Sequence, residues 1–141
     1  MPRADFYLIQ KERFRQEPLL LVCELARKAL EANLSTLVLA RDAEQAERLD
    51  DLLWSFDADA YIPHQIAGAD IDEEEAEVLI AAPGTDAPMR PLVINLRDEP
   101  VAGGFERVLE VVPADESARG PLRERWKQYQ SRGLDLKKHD M

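Results

Sequence analysis

The sequence predicts an α/β sandwich around a mostly parallel sheet, and three observations carry that prediction. Strand-like segments alternate with stretches of helical periodicity along the chain. The run Thr36-Leu37-Val38-Leu39-Ala40 is continuously apolar, as strands covered on both faces of a parallel sheet are. No linker, internal repeat or low-complexity tract divides the 141 residues, so 1–141 reads as one domain, with 137–141 as a frayed tail.

The elements follow in order. Phe6-Tyr7-Leu8-Ile9 is an opening strand, and a charged loop follows it. Pro18 begins a helix whose apolar positions (Leu19, Leu20, Val22, Cys23, Leu25, Ala26, Ala29, Leu30) cover most of its circumference, and Asn33-Leu34-Ser35 closes it. Asp42, just after the second strand, has Gln45 three residues on, the spacing of a capping box for a helix running to Trp54. An acidic residue there also suits a ribose hydroxyl, but that role needs a glycine-rich turn after the first strand, and "LIQKERFRQEP" has no glycine. Tyr61-Ile62-Pro63-His64 is short and extended, because a residue before proline avoids helical geometry. "GADIDEEEAE" is an acidic loop. Val78–Ala81, Leu92–Leu96 and Arg107–Val112 are further strands, with turn-rich "APGTDAPMRP" between the first two.

Composition bounds the chemistry. Hydrophobic residues make up 45% and charged residues 33%, a globular balance. No apolar run approaches the ~20 residues of a membrane span, the amino terminus is not patterned as a secretory signal, and a single cysteine suits a reducing cytoplasm. Cys23 lies among apolar residues and reads as a small buried side chain rather than a reactive thiol. His64 and His139 have no neighbours at metal-ligand spacing, and Asp72-Glu73-Glu74-Glu75 lacks the turn glycine and alternating ligands of a cation loop. Phosphate cradles and nucleophile elbows are missing from the sequence, so no cofactor, metal or catalytic residue is assigned.

The charge distribution is the informative feature. The formal net charge is -10, yet residues 117–138 hold seven Lys/Arg against two Asp/Glu. Within them, "RGPLRERWKQYQSRG" (119–133) places Arg119, Arg123, Trp126 and Lys127 on one side of a helix at about 100° per residue. Leu122 and Tyr129 fall on a neighbouring stripe that suits packing on the body, and Val112-Pro113 would floor a small apolar dent. Such a site fits a short acidic peptide with a hydrophobic residue near a free carboxylate. A solvated amphipathic terminal helix fits the same pattern. Gly120-Pro121 argues that the helix starts at Pro121, leaving Arg119 on an irregular turn. A second cluster, Trp54, Phe56, Tyr61, Ile62 and Pro63, reads either as core or as an interface anchor.

Several of these stretches together resemble the chi subunit of bacterial DNA polymerase III: "FYL", "VCELARKAL", "LVLARDAEQAERLDDLLW", "YIPHQIAG", Leu92–Leu96 and "RERWKQYQSRG", in register from Phe6 to about Leu136. The resemblance implies a Rossmann-like three-layer sandwich without a nucleotide-binding loop. It also implies a non-catalytic, cytoplasmic accessory subunit of the clamp-loader assembly, with DNA only an indirect partner. Such a subunit links the clamp loader, through psi or an equivalent partner, to single-stranded-DNA-binding protein by gripping its acidic, phenylalanine-ended C-terminal tail. By the same resemblance the tail-binding residues are Val112, Arg119, Arg123, Trp126 and Lys127, and the psi-facing residues are Trp54, Tyr61, Ile62 and Pro63. Tryptophan at 126 departs from the usual tyrosine, and Gly120-Pro121 departs from helix-forming residues. Two other classes stay in play: an α/β enzyme or small-molecule-binding domain, and a direct single-strand binder that stacks bases on Trp126 and Tyr129.

Overall fold

The computed structural model describes residues 2–56, 62–68 and 76–141. Along the chain run β1 (Arg3–Leu8), α1 (Glu12–Gln16), α2 (Leu19–Glu31), β2 (Thr36–Leu39), α3 (Ala43–Ser55) and β3 (His64–Ile66). They are followed by β4 (Val78–Ala81), β5 (Leu92–Asn95), β6 (Arg107–Val112), a 3-10 turn at Glu116–Ala118, α4 (Arg119–Ser131) and β7 (Asp135–Asp140). The strands form one sheet in the order β3-β4-β2-β5-β6-β1-β7, and every neighbouring pair is parallel.

Crossover handedness places the helices. The chain moves across the sheet in one direction from β1 to β2 to β3, and in the other from β6 to β7. Right-handed connections therefore send α2 and α3 to one face and α4 to the opposite face. The cores agree. Leu21, Val22, Cys23, Leu25 and Ala26 of α2 and Ala46, Leu49 and Leu53 of α3 pack on one side with Val38, Ile80 and Ile94. Tyr129, Trp126 and Leu122 of α4 pack on the other side with Phe6, Leu37, Val93 and Val108. The result is a three-layer sandwich.

Local chemistry ends the helices where the sequence indicates. The Asp42 carboxylate accepts from the Gln45 N–H (2.7 Å), and the Gln45 side-chain oxygen accepts from the Arg41 N–H (2.7 Å). Asn33 takes a left-handed φ of 58°, while the N–H groups of Leu34 and Asn33 reach back to the carbonyls of Ala29 and Leu30. Gly133 (φ 81°) ends α4 by the same device, with Leu134 donating to Tyr129 and Gly133 to Gln130. The segment after β1 is not all loop: it holds the single turn of α1, anchored by the buried ring of Phe14.

Two expectations need larger correction. The tail is not frayed. Residues 135–140 form β7, an edge strand in parallel register with β1, and Met141 continues it by donating to Leu8 and accepting from Gln10 and Lys11. A buried carboxylate holds it from the side. Asp5 is fully buried, and its oxygens accept from Arg107 (2.7 Å), His139 (2.8 Å) and Arg3 (3.1 Å). The imidazole of His139 also stacks on Tyr7 at 4.7 Å. Burial alone would push the Asp5 carboxyl up, but the hydrogen bonds from His139, Arg3 and Arg107 hold it below the usual carboxylate range. The second correction is the start of α4, at Arg119 rather than Pro121. Pro121 lies in the first turn, where the N–H it lacks would have no helical partner, so no break results.

Among the described residues, no helix is long and apolar enough to cross a membrane.

Candidate functional site

The site is built between α4 and the β1–β7 edge of the sheet. Asp115 accepts from the Ser117 N–H (3.0 Å) and shapes the 3-10 turn that feeds α4. Four-residue spacing then sorts the helix into faces. Arg125 and Tyr129 point inward and are buried, Leu122 and Trp126 are half-buried against the sheet, and Arg119, Arg123 and Lys127 are exposed.

The inward pair docks the helix. Glu110, fully buried in the middle of apolar β6, meets Arg125 at 2.8 Å and accepts from Tyr129 Oη (2.6 Å) and Asn95 Nδ2 (2.9 Å). Burial pushes the Glu110 carboxyl up, against the pull of Arg125, Asn95 and Tyr129. Tyr129 Oη also accepts from the Val101 N–H (2.9 Å), and burial raises its phenol above the ordinary range. The positive charge of Arg125 is thus spent internally. Reading the sequence missed this pair, although a lone glutamate inside "RVLEVV" was the available signal. Tyr129 offers no surface for stacking a base.

Outside this anchor lies a hollow of about 280 Å³. Phe6 and Leu8 of β1 form its floor, and Leu122 and Trp126 of α4 form one wall. Arg123 and Lys127 stand at its rim on α4, and Lys138 reaches it from β7. The indole of Trp126 leans on the Phe6 ring at 5.1 Å and 50°. Of the five residues assigned to a peptide site, Arg123, Trp126 and Lys127 line this hollow together. Val112 does not; it is 3% exposed and packs in the layer beneath α4, so β1 rather than β6 supplies the floor. Arg119 is exposed on the first turn of α4 and is also outside the lining. Lys138 is not legible as a site residue in the sequence, because nothing local marks 135–140 as a strand.

Several guanidinium groups pair with carboxylates: Arg3 and Arg107 with Asp5, Arg13 with Glu24, Arg41 with Asp98, Arg48 with Glu17 and Arg125 with Glu110. Among the described residues, Arg123, Lys127 and Lys138 have no carboxylate partner. Three uncompensated cations thus surround an apolar hollow on a chain with 28 acidic residues.

The second expected surface is only partly assembled. Trp54, at the end of α3, is 60% exposed, with its ring edge against His64 at 4.8 Å. Pro63 is half-buried, and Ile62 is 1% exposed within the core, so it supports the surface without reaching it. Tyr61 lies outside the described residues.

At the carboxyl ends of the strands, where doubly wound folds bind ligands, a hollow of about 440 Å³ is lined by Leu39, Ala81, Asn95 and Arg97 among others. Arg97 donates to the carbonyls of Ala40 (2.8 Å) and Ala81 (3.0 Å) beyond β2 and at the end of β4. Burial raises the Cys23 thiol to about 12, which leaves it inert at neutral pH. Among the described residues, no cluster of His, Cys, Asp or Glu is placed to hold a metal ion.

In fold, the chain is similar to the C-terminal domain of the DEAD-box protein Dbp5 (TM-score 0.69, 15% identity), a match covering 99% of this chain and 90% of that one. At that identity the likeness speaks for the Rossmann-like architecture alone. In sequence it is 33% identical over 141 residues to the DNA polymerase III subunit chi of Pseudomonas aeruginosa, covering 99% of this chain and 96% of the relative. It is 32% identical over 142 residues to the subunit of the same name from Escherichia coli, covering 96% of each. The model of the family described as DNA polymerase III chi subunit, HolC, matches residues 1–137. The chain therefore belongs to the DNA polymerase III chi subunit family, accessory subunits of DNA replication rather than its catalysts.

Proposed function

We propose that this replication subunit is an adaptor that holds the acidic, aromatic-ended C-terminal tail of single-stranded-DNA-binding protein in the hollow between α4 and β1. The observation that carries the reading is the unpaired cationic rim around an apolar floor. An aromatic end enters the hollow and is desolvated against Phe6, Leu122 and Trp126, while its carboxylates meet Arg123 and Lys127. Arg119, one turn before Arg123, extends the positive face toward acidic residues further up the tail. Val112 acts by holding the layer on which the hollow rests. The rest of the body is acidic, so nucleic acid is repelled and DNA is reached through the bound protein. The exposed indole of Trp54, bordered by Pro63, is the anchor for the second partner, psi or its equivalent in the clamp loader, in the bacterial cytoplasm.

The test is capture of single-stranded-DNA-binding protein from the same organism, intact and lacking its last few residues. Intact protein is expected to bind with micromolar affinity, roughly -7 to -8 kcal/mol, and more weakly as salt rises. Equal capture of the shortened protein would contradict the reading.

A further inference from the structure

Sheet register determines where β7 directs its side chains. Lys138 is paired with Phe6, and paired residues on neighbouring parallel strands face the same side. Phe6 is the floor of the hollow beneath Trp126, and Lys138, on the same face of the sheet, lines the hollow with it. It does so from the sheet edge, whereas Arg123 and Lys127 reach the rim from α4. Lys138 is exposed and has no carboxylate partner among the described residues. Asp140, the next residue of β7 on that face, is held by Gln10 (3.2 Å). The strand itself is fixed: the Asp5–His139 contact on the opposite face and the Met141 backbone bonds to β1 hold its end.

We infer that Lys138 is a specificity-determining residue of the hollow, contributing from β7 a third cation that selects peptide ends with carboxylates on both sides of the apolar tip. This rests on the tail-binding reading above. With cations on α4 alone, the hollow would hold an apolar tip with acid along one wall only. With Lys138 opposite, a second carboxylate gains an ammonium across the floor.

A short aspartate-rich peptide ending in phenylalanine with a free carboxylate, fluorescently labelled, distinguishes the two claims by anisotropy at low salt. Lys138→Glu is expected to weaken binding about tenfold and Lys138→Gln about threefold. Both should have unchanged melting temperature and a shallower salt dependence. Arg123→Glu serves as the control for the site itself. Loss of binding in Arg123→Glu with wild-type affinity in Lys138→Glu would overturn the role of Lys138 and leave the tail-binding reading intact. No binding by the unaltered protein would overturn both.

Discussion

Arg123 and Arg125 stand two residues apart on α4 and do opposite things. Arg125 is 3% exposed and meets the buried Glu110 carboxylate at 2.8 Å, whereas Arg123 is exposed at the rim without a carboxylate among the described residues. Composition counts the two as equal positive charges, and only the helical phase separates them. Removing Arg125 leaves Glu110 as a buried charge without its cation, a loss of about 3–5 kcal/mol. Arg125→Ala is therefore expected to lower stability by that amount in urea unfolding, while Arg123→Ala stays within about 0.5 kcal/mol. Equal, small effects of the two substitutions would show that the Glu110 network does not anchor α4.

At the level of elements, β7 is the piece on which the site depends and the one the sequence hid. "DLKKHD" carries no apolar alternation, and its partner strand β1 lies about 130 residues earlier in the chain, so neither periodicity nor neighbouring turns announce it. What fixes it is non-local: backbone pairing with β1 and the buried carboxylate of Asp5. Elements specified by local chemistry were legible, among them α3 with its Asp42–Gln45 cap and α2 with its Asn33 stop. The importance of Asp5 has a pH signature. Its carboxyl is held below the ordinary range when folded, so its contribution is complete above about pH 4 and is lost as pH falls through the folded value. Asp5→Asn should cost about 3 kcal/mol at neutral pH. Its deficit relative to wild type should shrink below pH 4, as measured by chemical unfolding at a series of pH values. A deficit that does not change with pH would assign the loss to packing rather than charge.

For the molecule as a whole, the governing feature is segregation of charge. A net charge of -10 coexists with a basic rim: Arg13, Arg41 and Arg48 of the body pair with carboxylates, whereas Arg123, Lys127 and Lys138 have none among the described residues. The sequence showed the basic helix and its aromatic as one group, and the structure does bring Arg123, Trp126 and Lys127 to one hollow. Which strands would complete that hollow depended on sheet order, which is why Phe6, Leu8 and Lys138 were out of reach and Val112 took their place in the reading. The most direct test is an amide and indole chemical-shift map of the full chain titrated with the aspartate-rich, phenylalanine-ended peptide. Progressive shifts are expected at Phe6, Leu8, Leu122 and the Trp126 indole, with the Trp54 indole unmoved. Shifts centred on Trp54 and α3, or none at α4, would contradict the account.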